Sequence, residues 1–256
     1  MATYKKRASK DKRAKSQKDL VEEQSTTAEV FNTLDETAGK TEAWVAKNQK
    51  YIFIFIGVIA LGVLGYLGYN EYVQKPKEKE AANEVYQANE FFQEAMTGST
   101  AAKDSLLNLA LNGGEGKFGL IDIIENYSGT KAANLANYSA GIAYLNLKDY
   151  TKAIEHLSDF SSDNAVYGAV AKGSIGDAFM QLNQPKDALE YYEKAIAHNA
   201  NDFTTPKYLL KAGIAALEAK DFTKASDFFN RIKEEFENST EARNIDVYIG
   251  RASTTK

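Results

Sequence analysis

The chain has 256 residues, 44% of them hydrophobic and 26% charged, which suits one or two folded domains and excludes disordered and collagen-like classes. Its formal charge of -4 and mildly acidic C-terminal two thirds argue against a nucleic-acid partner, because phosphate neutralisation needs a basic face. With no cysteine there is no disulfide, thiolate nucleophile or Cys-based zinc site, and His156 and His198 lack the spacing of a metal pair and are expected on helix surfaces.

Residues 1–25 are basic, polar and almost free of large apolar side chains, so a disordered arm able to lie against anionic lipid is expected. From Thr26 the pattern changes. Thr26 and Glu29 form a capping-box pair, and Val30, Leu34, Ala38, Thr41 and Val45 follow at helical spacing, which predicts a weakly amphipathic juxtamembrane helix over 26–50. Such a helix can lie on lipid or dock on another protein's cytoplasmic face.

YIFIFIGVIALGVLGYLGYN, from Tyr51 to Asn70, carries no charge, and at about 1.5 Å per residue it covers the roughly 30 Å of a bilayer's hydrocarbon core. Eleven of its residues are Ile, Leu, Val or Phe, favouring insertion by about 3 to 7 kcal/mol before the glycines are counted. Trp44 and Tyr51 stand before it, and Tyr66, Tyr69 and Tyr72 close it, as rings that prefer the headgroup level do. A transmembrane helix over 51–72 is expected, rather than a buried core helix, which usually carries some polar residue, or a cleaved signal peptide, which lacks so long a leader. The flanking lysines tie, but the N-terminal tail holds eleven Lys or Arg, which keeps it cytoplasmic and exports the rest. Gly57, Ala60, Gly65 and Gly68 fall on one broad side of this helix, either as a groove for a partner helix or as glycines tolerated in lipid.

After Pro76, a long helix is marked by Ala82, Val85, Tyr86, Asn89, Phe92 and Met96. NGGEGKFG lacks the spacing of a phosphate loop and no strand precedes it, so it reads as a flexible connection, and LIDIIENY looks like a degenerate second helix of a repeat. Three similar phrases follow. Aligned on Gly141, Gly176 and Gly213, each has an alanine twelve residues on, at Ala153, Ala188 and Ala225, and a polar turn between: NLKDY, LNQPKD and EAKDF. Pro206 behind Thr205 marks the start of the last first-helix.

A period near 34 residues with small residues at both helix crossings is the tetratricopeptide (TPR) signature. The fold class expected is all-α: a single transmembrane helix followed by a TPR helical solenoid over 73–256, with clear repeats near 132–163, 167–200 and 204–238 and a degenerate first one. In proteins of this grammar the concave face is lined by the first helices, which here present Tyr138, Ile142, Leu145, Met180, Leu210, Ile214 and Leu217 as partner-binding candidates. The row is apolar, without the Lys and Asn pattern that clamps a terminal carboxylate, and it is either open or filled by the helix from Pro76 to Met96.

The N-terminal anchor, basic arm and exported repeats with GDAF and DALEYYEKAI resemble the YfgM-like ancillary subunits of the bacterial Sec translocon. That resemblance covers roughly residues 40–250 and implies a single-pass inner-membrane protein, with its N-terminus cytoplasmic and its repeat domain periplasmic. As partners it implies the Sec channel and a periplasmic chaperone such as PpiD. The alternative is a scaffold of another envelope machine, for cell division, gliding or outer-membrane secretion. No catalytic, cofactor-binding or metal residues are expected, and no small-molecule substrate, because nucleophile–base pairs, ligand spacings and phosphate loops are missing.

Overall fold

The structure, a computed structural model, describes residues 26–98, 102–114 and 116–254, with side chains from residue 33 to 253, so the basic arm expected over residues 1–25 lies outside the described residues. So do the side chains of the expected Thr26–Glu29 capping box. The chain divides into two compact units, Met1–Tyr69 and Asn70–Lys256.

The described part of the first unit is one helix, α1 (Thr26–Tyr69), so no break separates the segment expected beside the membrane from the apolar run. Its polar half is supported by local bonds such as the Lys40–Glu36 pair at 2.8 Å. Its apolar half is long and apolar enough to cross a membrane, and none of that stretch is buried within the protein.

The second unit opens with a π-helical turn, Asn70–Gln74, followed by α2 (Lys75–Thr97). Pro76 explains the turn: it has no N–H for Tyr72 and its ring crowds that carbonyl, so the backbone widens by one residue ahead of it. Three side chains then fix α2 to the turn near residue 129. Gln74 donates to the Gly129 carbonyl at 2.9 Å, Lys77 to the Ser128 carbonyl at 2.9 Å, and the Glu78 carboxylate accepts the Lys131 N–H at 3.0 and 2.9 Å.

The remaining helices are α3 (Lys103–Asn112), α4 (Leu120–Asn126), α5 (Lys131–Asn146), α6 (Tyr150–Asp159), α7 (Ala165–Gln181), α8 (Pro185–Ala197), α9 (Thr205–Glu218), α10 (Phe222–Glu235) and, after a 3-10 turn, α11 (Ile245–Thr254). No named strand occurs among the described residues. The glycine-rich connection forms a single antiparallel bridge, Gly114 to Lys117, and Gly113 ends α3 at φ 75°.

Helices α5–α6, α7–α8 and α9–α10 are hairpins, and one piece of packing recurs in each. A Cβ on Gly141 would stand 2.4 Å from Leu157 Cγ, on Gly176 2.6 Å from Tyr192 Cε1, and on Gly213 2.2 Å from Phe229 Cε1. The partner lies sixteen residues after its glycine each time, so a large side chain of the second helix occupies the notch that the glycine leaves in the first. Ala153, Ala188 and Ala225 are fully buried at the opposite crossing. The turns recur as well: Lys148, Asn183 and Lys220 adopt positive φ of 65°, 58° and 62°, and the next residue's N–H reaches back to Tyr144, Phe179 and Ala216 carbonyls. The last hairpin starts one residue earlier than its sequence suggests. Thr204 is its N-cap and the Thr205 hydroxyl accepts from the Asn201 N–H at 2.8 Å.

Of the residues that mark the helix after Pro76, Val85 and Phe92 are buried, but alanines complete the inner stripe. Ala81, Val85, Ala88, Phe92 and Ala95 are inside, whereas Ala82 is exposed and Tyr86 and Met96 are 64% and 42% exposed. The alanines win because α3 and α5 approach closely: Leu107 and Leu111 meet the stripe, as do Ala132, Ala136, Ala140 and Ala143. This helix packs on α3, α4 and α5, and none of its residues enters the cores around α7 to α11. It therefore does not fill the face of α7 and α9.

Candidate functional site: the face of the first helices

All seven candidate groove residues are half-buried. On α5, the Tyr138 ring lies 5.1 Å from Phe160 and 5.3 Å from Tyr167, and Ile142 packs against the cores on both sides of it. Met180, Leu210, Ile214 and Leu217 pack against the C-terminal core. Leu145 and Met180 come together in the wall of one open cavity of about 590 Å³.

The same wall holds a polar cluster that was not picked out from the sequence. Asp177 accepts from the Lys211 ammonium at 2.6 Å on both oxygens and from the Tyr192 hydroxyl at 2.7 Å. Lys211 also sits 6.0 Å above the Tyr192 ring, which stacks on Tyr208 at 6.3 Å. Burial, then the neighbouring Asp177 charge and its hydrogen bond, push the Tyr192 phenol far above its ordinary range, so it remains a donor; burial raises Tyr208 too. Asp177 and Lys211 side chains are 33% and 31% exposed, which leaves both open to a visitor. The available signal was register: Asp177 follows Gly176 as Ile142 follows Gly141 and Ile214 follows Gly213, so it takes the middle place in an otherwise apolar row.

Gly173 serves this cluster, because a Cβ there would lie 1.9 Å from the Tyr208 ring. The cluster thus joins α7 to α8 and α9, fixing neighbouring repeats with polar bonds.

Neither histidine is the plain surface residue expected. His156 stacks on Tyr144 at 5.3 Å and pairs with Asn137 at 3.0 Å, and burial holds its pKa below the usual value against the opposing pull of Glu155 and Asp159. His198 fills the space over Gly168, where a Cβ would lie 1.9 Å from Nε2. Both are drawn in because a glycine or a flat ring beneath them leaves room for an imidazole. Among the described residues no three acidic or histidine side chains converge as a metal group.

In α1, a Cβ on Gly57, Gly65 or Gly68 would meet nothing within 4 Å, and Ala60 is exposed. Nothing among the described residues requires these positions to be small.

Residues 174–240 match the tetratricopeptide repeat family, a stretch that begins at Ser174 of α7 and takes in α8–α10. The chain is 28% identical over 137 residues to the uncharacterised protein ycf37 of Guillardia theta, which covers 52% of this chain and 75% of that protein. A solved structure from Podosopora anserina, titled as a kinesin light chain with nearly identical TPR-like repeats, is 12% identical at a TM-score of 0.48, covering 68% of this chain and 85% of that one. The fold is all-α and solenoid-like, a tetratricopeptide-type helical scaffold preceded by one helix long and apolar enough to cross a membrane.

Proposed function

We propose that this protein is a non-enzymatic, membrane-anchored scaffold that holds a protein partner on the face of α5, α7 and α9. The observation that carries this reading is the row from Tyr138 to Leu217, half-buried side chains of which those on α7 and α9 are left uncovered by α2. Apolar side chains in such a row contribute binding by burial, at about 25 cal/mol per Å², and the Asp177–Lys211 pair sets register by demanding a polar group opposite it.

In the finer form, residues 51–72 span the bacterial inner membrane, residues 1–50 stay cytoplasmic, and residues 73–256 stand in the periplasm. There the repeats sit beside the Sec channel and hold a PpiD-like chaperone or emerging clients. Three things support this: the eleven positive charges ahead of the span, the aromatic residues at its ends, and the resemblance carried by GDAF and DALEYYEKAI. The small side of Gly57, Ala60, Gly65 and Gly68 supplies room for a channel helix.

The test is purification of the full chain in mild detergent and identification of what comes with it by mass spectrometry. Channel subunits among the partners support the translocon form, partners from another envelope machine replace it with the general scaffold, and no partner at all removes both. Changing Ile142 and Leu210 together to Glu abolishes partner recovery with helicity kept; recovery undiminished contradicts the groove.

A further inference from the structure

A second cavity, of about 170 Å³, lies between α6, α7 and α8, away from the wall that holds Asp177. Its inner surface is apolar: Leu157 and Ile175 are buried, and Phe160 and Tyr191 are half-buried. Ser158, Ser162, Gly168, Ala171, Lys172 and Lys194 complete the lining. A cavity of roughly 150 Å³ with such walls takes a benzene ring, so this one suits an apolar body of one ring.

The two lysines differ. Lys194 is neutralised by Glu190 at 2.6 Å and lies 4.2 Å over the Tyr191 ring. Half-buried Lys172 reaches no carboxylate among the described residues; its partners are the Gly168 carbonyl and His198 Nδ1, each at 3.4 Å. Those are long bonds for an ammonium, which in a partly dry site is ordinarily matched by a carboxylate. The imidazole is itself placed: its Nε2 is 3.2 Å from the Asn164 carbonyl, so its N–H is directed there and Nδ1 offers a lone pair to Lys172. Gly168 makes this possible by having no Cβ to meet that ring. The result is an ammonium held at the cavity with no carboxylate within 4.0 Å among the described residues.

We propose that this cavity binds a small monocarboxylate with a ring-sized apolar body, its carboxylate on Lys172 and its ring between Leu157, Phe160, Ile175 and Tyr191. The cavity shares no lining residue with the wall that holds Asp177, although Phe160 also packs on Tyr138 of the partner-binding row. It is a ligand site, with no covalent step.

The full-length protein in detergent micelles is titrated with 4-fluorophenylacetate and followed by fluorine NMR. Saturable binding at about 1 mM or tighter is expected, with the methyl ester at least about tenfold weaker. Lys172→Met weakens the acid by at least about tenfold with unchanged helicity, because only the charge-assisted bond is removed. Ser158→Phe, on the exposed rim of the cavity, also weakens it by obstructing the ring, and this variant decides the matter if Lys172→Met fails to fold. Absence of saturation overturns the proposal. So does an ester that binds as tightly as the acid, or a folded Lys172→Met protein with undiminished affinity.

Discussion

Among the described helical glycines, those that face a neighbouring ring and those that face open space respond differently to substitution. Gly213→Ala puts a methyl 2.2 Å from Phe229 and is expected to cost about 1 to 3 kcal/mol, whereas Gly65→Ala meets open space and leaves the repeat domain's stability unchanged. Urea unfolding of both variants checks this, and equal midpoints contradict the notch. His156 supplies a pH signature. Its folded pKa lies below the ordinary value, so its contribution is fully present above the unfolded pKa of about 6.5 and is lost as pH falls through the folded value. Unfolding midpoints should therefore drop from pH 7 towards pH 5, and His156→Gln should shallow that drop. Gly141, Gly176 and Gly213 were legible because a notch demands the smallest residue at a fixed period. Asp177 and His198 were not, since their roles depend on which residue of another helix arrives opposite them.

At the scale of the helix, caps and stripes carry the structure. Thr130 is 3% exposed, and its hydroxyl accepts the Ala133 N–H at 3.1 Å while donating to the Tyr127 carbonyl at 2.7 Å. Thr130→Ala removes both bonds at the start of α5 and is expected to destabilise by about 1 to 2 kcal/mol. Amide exchange should quicken in the first turn of α5 before it does in α9; uniform quickening or none contradicts the cap. The hairpins could be read in advance because glycine, alanine and a polar turn repeat in order. The stripe of α2 was legible only at Val85 and Phe92, because Tyr86 and Met96 carry larger apolar side chains than Ala81, Ala88 and Ala95, although the small alanines admit the close approach of α3 and α5. Burial there was decided by fit rather than by apolar content.

Within the repeat unit, repetition serves a physical need: one hairpin cannot bury its apolar face, and the stack yields three adjoining core clusters, bridged by Ile142 and Phe179, and a long face of first helices. That face was expected from the period together with the tetratricopeptide arrangement it signals. Its polar centre at Asp177, Lys211 and Tyr192 required three helices to be placed, as did the finding that α2 packs on α3, α4 and α5 and leaves the face of α7 and α9 uncovered. The uncovered row is the central claim. It is tested most directly by inserting a photo-crosslinking amino acid at Leu210 on that face or at Glu155 on the exposed side of α6, in the full chain in its own membrane. A partner captured from Leu210 and not from Glu155 is the expected result; capture from Glu155 alone, or equally from both, would contradict it.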